Sequence, residues 1–249
     1  MFDRKKYKYF ARQQLQHRWN IPAFITIITG LVMLIFSIPE IIETFRSFPD
    51  LVNVDFSDSK SVSVFIQAYS GKGSSELLSY IQLAVSAIFE MAAICVYLKM
   101  SRSPEPVHIS DFFDGMNNWA RAIFAELWQF IWVMLWSFLF IIPGIIKAIS
   151  YSQTMYIVAE YKSVSVPKAL RISKIITHGN KADLFVMYLS FLGWAILATI
   201  PAGLGFIFLI PYMNLSFINA YHAMMKEALE TGKIKPEDLQ KQKLEDYND

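Results

Sequence analysis

Four stretches of this chain, 22–39, 77–98, 127–146 and 184–225, are almost bare of charge. An apolar run of about 18 residues or more, wound into a helix, is long enough to cross a hydrocarbon core of about 30 Å. The 249 residues are 54% hydrophobic and only 18% charged, against about 25% charged in ordinary soluble domains. Six Trp and twelve Tyr suit the two aromatic-rich boundaries of a bilayer. The chain reads as an all-α integral membrane protein. A basic segment (Arg4, Lys5, Lys6, Lys8, Arg12, Arg18) precedes the first run, as in a signal peptide, but "SIPEII" follows it where a small-x-small cleavage site would stand. An uncleaved first span is therefore expected. The lone Cys95 excludes an internal disulfide.

Six transmembrane helices are expected, over about 20–40, 77–99, 122–142, 144–161, 183–200 and 205–226. One helix over 122–161 would run about 60 Å, twice the hydrocarbon thickness. Proline lacks a backbone donor and glycine tolerates unusual dihedrals, so Pro143-Gly144 is the expected corner. "IPAGLG", with Pro201 and Gly203, repeats the device between the last two spans. The chain then divides into a cytoplasmic N-terminal helix (1–19), a membrane domain (20–226) with an outer loop over about 41–76, and a charged tail (227–249). With both termini inside, all but Arg46, Lys60, Lys72 and Lys147 of the 23 Lys and Arg fall on the cytoplasmic side. That asymmetry is what the positive-inside rule requires. The outer loop is acidic, and within it "SVSVFIQAY" (61–69) suits a short strand or a surface helix.

Each hairpin is preceded by a basic amphipathic segment. Tyr7, Ala11, Leu15 and Trp19 step by four; Phe112, Phe113, Met116 and Trp119 cluster likewise; Pro167 opens a third helix that Gly179-Asn180 closes. Such helices are expected to lie in the cytoplasmic headgroup plane, giving three units of interfacial helix plus hairpin. Pro143-Gly144, Tyr151, Gly179-Asn180-Lys181, "SFLGW" (190–194) and Pro211-Tyr212 occur in that order. In this order, and in the opening "ARQQLQHRW", the chain resembles an uncharacterised bacterial integral-membrane family, domain of unknown function 975. The resemblance implies a multi-pass protein of the plasma membrane of a low-GC Gram-positive or related bacterium. It brings no catalytic residues with it.

Polar side chains inside the runs are where chemistry would reside. Lys147, Ser150, Tyr151, Thr154 and Tyr161 share one arc of a helical wheel; Ser79, Gln82, Ser86, Glu90 and Tyr97 share another. Polar groups facing lipid are costly, so both stripes should face protein or water. Glu90 sits about 13 Å from the inner end of its span and needs a partner or a wet cavity. Lys147 is too far along the axis to pair with it and should snorkel outward; Gln153, Thr154 or Tyr156 on a neighbouring span should meet Glu90 instead. A cavity of Gln82, Glu90, Tyr151, Gln153, Thr154 and Tyr212 is one expectation; interhelical hydrogen bonding by the same groups is the other. Pro211 should bend the last helix.

His17, His108, His178 and His222 are scattered without metal-ligand spacing, and no nucleophile–base pair is apparent. No cofactor, metal or catalytic residue is expected. The inner cations answer to orientation and anionic lipid, with no nucleic-acid pattern. Three functions stay open: a non-enzymatic binding, immunity or stress-response module, which is favoured; a small transporter or flippase-like protein; and, last, an intramembrane enzyme. Membrane lipids, another membrane protein and a cationic peptide are the candidate partners, the last from the acidic outer loop.

Overall fold

A computed structural model describes residues 2–52, 55, 57–70 and 76–239, and among them it is helical throughout, without a strand. The helices are α1 (Arg4–Leu15), α2 (Asn20–Val52), α3 (Ser59–Ser70), α4 (Glu76–Arg102), α5 (Ile109–Met116), α6 (Trp119–Leu139), α7 (Ile141–Tyr151), α8 (Thr154–Glu160), α9 (Val166–Ile176), α10 (Lys181–Thr199) and α11 (Phe206–Glu230). Four stretches are long and apolar enough to cross a membrane: Asn20–Arg46, Leu77–Arg102, Trp119–Leu139 and Lys181–Thr199. The chain divides into two compact units, 28–86 and the remainder.

In the unit 28–86, most of the expected outer loop is helix. α2 continues through Val52, and 61–69 lies within α3, so the strand alternative does not hold. Its polar residues do not interrupt the helices because they fold onto the backbone: Ser37 donates to Met33 O at 3.0 Å and Thr44 to Glu40 O at 2.8 Å. Asp58 opens α3 by accepting from Lys60 N and Ser61 N, both at 3.1 Å, as a helix-capping carboxylate does. The exposed Asp55 carboxylate is held below its usual range by the Ser57 hydroxyl and amide. The stretch 71–75, and with it most of "SGKGSSE", lies outside the described residues.

In the larger unit, α6 and α7 form the tightest pair. The corner is Phe140 alone, extended at φ −161° and ψ 149°, and Pro143 and Gly144 sit beyond it in the first turn of α7. A first turn needs no proline N–H. Gly144 meets α6 so closely that a Cβ there would lie 3.0 Å from Ser137 Cα. At the next hairpin, Ala202 (φ +52°) and Gly203 (φ +83°) make the turn. A Cβ on Gly205 would lie 2.6 Å from Ala198 Cα. Gly205→Ala is therefore expected to force α10 and α11 apart at a cost of about 1–3 kcal/mol, read as a lower unfolding midpoint in detergent. An unchanged midpoint would show that the hairpin can give there.

The expected span 144–161 is broken. α7 ends at Tyr151, Ser152 and Gln153 make a turn, and α8 begins at Thr154. The backbone groups freed by the break are met by side chains of α9. Ser150 O accepts from Ser173 Oγ at 2.8 Å and from Thr177 Oγ1 at 3.3 Å, while Gln153 N donates to Ser173 Oγ at 3.2 Å. Ser150, Gln153, Ser173 and Thr177 are fully buried, and Ser152 is half-buried. α9 ends at Ile176 with Thr177 as its cap, after which Gly179 takes φ +93° and Asn180 leads into α10.

The three short helices expected to lie on the cytoplasmic surface bury apolar side chains against protein. α1 buries Tyr7, Ala11 and Leu15 along α11; α5 buries Phe112 and Gly115, with Phe112 5.7 Å from Phe89 of α4; α9 buries Leu170, Ile172 and Ile176. A stripe spaced to enter a lipid surface is equally spaced to enter a groove between helices; Tyr7, Ala11, Leu15 and Phe112 are covered in this way, whereas Phe113 and Trp119 remain exposed.

Candidate functional site

Glu90 lies near the middle of α4, about 18 Å along the axis from Arg102 at helical rise. It opens onto a cavity of about 500 Å³ whose walls come from α4, α6, α7, α8, α10 and α11. The polar members of the wall are Glu90, Gln129, Ser152, Tyr156, Tyr188 and Asn214; Ile145, Ile149, Met155, Phe185, Met213 and Phe217 supply the apolar remainder. Glu90 is exposed to this space, yet protein surrounds it closely on the other sides. Among the described residues its carboxylate has no ion-pair or hydrogen-bond partner, and Glu126 of α6 adds charge of the same sign nearby. Tyr188 is fixed by stacking on Phe217, with ring centroids 4.3 Å apart. Ser152 reaches the wall because the helix breaks there. Asn214 anchors its amide on Ile210 O at 3.1 Å.

Such a site offers one carboxyl group, several neutral donors and acceptors, and apolar surface for the rest of a ligand. It suits a cation with an apolar body. Among the described residues no group of His, Cys, Asp and Glu is arranged to hold a metal ion.

The residues expected to surround Glu90 are distributed differently. Tyr156 is in the wall. Tyr151, Gln153 and Thr154 are not; they are buried at the α7–α8 break, where Thr154 Oγ1 donates to Tyr151 O at 2.6 Å. The reason is the break itself, which rotates α8 relative to α7 and so separates residues that one continuous helix would align. Tyr212 lines another cavity, and Gln82 belongs to the unit 28–86. Lys147 does not approach Glu90: its ammonium lies 4.2 Å from the Trp136 ring centroid. Pro211 is buried within α11. Gln129, Ser152, Tyr188 and Asn214 escaped sequence reasoning. Gln129 and Asn214 did carry a signal, each being an isolated amide inside an apolar run.

A second polar cluster ties α4, α8 and α11 together. The Tyr221 hydroxyl donates to Glu160 Oε2 at 2.6 Å, Arg102 pairs with Glu160 Oε1, and Ser101 Oγ is 2.9 Å from His222 Nε2. Arg121 donates to Tyr161 O at 3.1 Å and Val164 O at 2.6 Å, covering carbonyls at the end of α8. Every charged member here is partnered, as expected of a clamp. Glu90, by contrast, has no such partner among the described residues.

Residues 138–228, which include α7 to α10 and most of α11, match the sequence model of a family described as "Protein of unknown function (DUF975)". No curated protein and no solved structure matches the chain.

Proposed function

We propose, starting from the match of residues 138–228 to the family of unknown function DUF975, that the chain is a non-enzymatic binding protein of a bacterial plasma membrane. Its Glu90 cavity takes the ammonium or other cationic group of a small amphiphile, in the service of immunity or stress response. The observation that carries this is the unpartnered Glu90 carboxylate facing about 500 Å³ of mixed polar and apolar wall. In this proposal the chain crosses the bilayer six times as three hairpins with both termini cytoplasmic. α7 and α8 together make the fourth crossing and α11 the sixth. The distribution of Lys and Arg supports that orientation. Membrane lipids are its surroundings, and a second membrane protein or a cationic peptide is the larger partner.

Transport of the same ligand is the second proposal, favoured by the α7–α8 break. Interrupted helices beside a midplane cavity are a common feature of secondary transporters, and Ser152, at the break, is part of this wall.

The test of the cavity is Glu90→Gln. Titration with dodecyltrimethylammonium and with shorter alkylammonium ions should raise the unfolding midpoint of the parent protein in neutral detergent, and this rise should be lost in the variant. Equal responses from variant and parent would remove the cationic site. Uptake of the bound cation into proteoliposomes, measured next, separates binding from transport.

A further inference from the structure

A second cavity, of about 450 Å³, opens between α1, the residues just after it, and the α10–α11 hairpin. Arg12 and Trp19 form one wall, and Trp194, Leu197, Phe208 and Tyr212 are prominent in the other. Among the described residues Arg12 is the only charged one in the lining, and no carboxylate pairs with it. Its guanidinium stands 5.4 Å from the Tyr212 ring centroid, and the Tyr212 hydroxyl is buried without a hydrogen-bond partner. One turn earlier on α1, the Lys8 ammonium donates to Ser190 Oγ at 2.7 Å and lies 4.0 Å from the Phe191 ring centroid. Ser190 and Phe191 are halfway along α10, a stretch apolar enough to cross a membrane. Burial, then the charges of Arg12 and Arg4, hold the Lys8 ammonium below the usual lysine range. Two cations are thus held against apolar helices with no counter-ion among the described residues.

A positive group beside an apolar groove complements a negative group carrying a hydrocarbon chain. The geometry points to a binding site for an anionic phospholipid, with one acyl chain lying among Trp194, Leu197 and Phe208 and the phosphate held by Arg12 and the Tyr212 hydroxyl. Arg12 supplies two parallel donors to the phosphate, a match that lysine cannot reproduce. Trp19, 5.6 Å from the Phe208 ring centroid, closes the groove from the α1 side. This site is separate from the Glu90 cavity, and its lining shares no residue with it.

The test uses the full chain in neutral detergent, with phosphatidylglycerol, phosphatidylcholine of the same acyl chains, and inorganic phosphate as separate probes. Native mass spectrometry and the unfolding midpoint are the readouts. Phosphatidylglycerol should bind as one retained lipid and raise the midpoint; phosphatidylcholine and inorganic phosphate should not. Arg12→Gln should weaken phosphatidylglycerol by about tenfold or more, since both charge-assisted donors to the phosphate are lost. Leu197→Trp, which fills the groove from an exposed position, should weaken it as well, whereas Lys5→Gln on the exposed side of α1 should not. The site is overturned if both groove variants retain the lipid, or if phosphatidylcholine binds equally. It is overturned too if phosphate alone reproduces the shift, or if Lys5→Gln weakens binding as much as Arg12→Gln, which would mark diffuse surface attraction.

Discussion

Glu160→Ala is expected to lower stability by about 2–3 kcal/mol, measured as reversible unfolding in detergent. Tyr221 is fully buried, and its hydroxyl donates to Glu160 Oε2 at 2.6 Å. Removing the acceptor leaves that hydroxyl without a partner, which costs about 1–3 kcal/mol. The ion pair to Arg102 is a smaller part, because the arginine side chain is 51% exposed and exposed pairs contribute about 0–1 kcal/mol. The decisive comparison is with Tyr221→Phe. That change removes the buried donor while Glu160 keeps Arg102, and should cost about 1 kcal/mol. The double variant should then be more stable than the two single effects added together predict, since no orphaned hydroxyl remains. Strict additivity would mean that the two groups do not act as a unit.

Ser173→Ala has the other large expected effect, about 2–4 kcal/mol, from deleting an atom that serves two backbone groups at once. Ser173 Oγ donates to Ser150 O at 2.8 Å and accepts from Gln153 N at 3.2 Å, in a fully buried place. Without it the amide loses its acceptor and the carbonyl keeps only the longer bond from Thr177, at 3.3 Å; orphaned buried groups cost about 1–3 kcal/mol each. Ser173→Thr retains a hydroxyl and should recover part of the loss. Hydrogen exchange adds a local readout: the amides of Gln153 and the start of α8 should exchange faster in Ser173→Ala. Unchanged exchange at Gln153 would show that the break does not depend on α9.

These two places explain what the sequence could and could not reveal. The helices around 77–99, 122–142 and 183–200 were legible because charge-free length is a local property, and nothing distant is needed to recognise it. Tyr7, Ala11 and Leu15 were legible as one face by their spacing, but not what covers that face, since lipid and α11 accept the same stripe. The α7–α8 break was not legible. No proline or glycine marks Ser152-Gln153, and the hydroxyls that satisfy it come from Ser173 and Thr177, some twenty residues later in the chain. Pro143-Gly144 drew attention for the right region and the wrong residue, because proline is tolerated in a first turn and the corner falls at Phe140. Glu90 was legible as a lone charge in an apolar run. Its neighbours were not, because the break decides which faces of α7 and α8 meet the cavity.

The single-residue link at Phe140 bears on how the disposition of this chain across a bilayer can be mapped. A reporter epitope or protease site inserted between 140 and 144 would have to fit where α7 begins at once and Gly144 already touches Ser137. Loss of signal there would report a ruined hairpin instead of a side of the membrane. The turn at 200–204 is the better insertion point, because Ile200, Pro201, Ala202 and Leu204 are exposed.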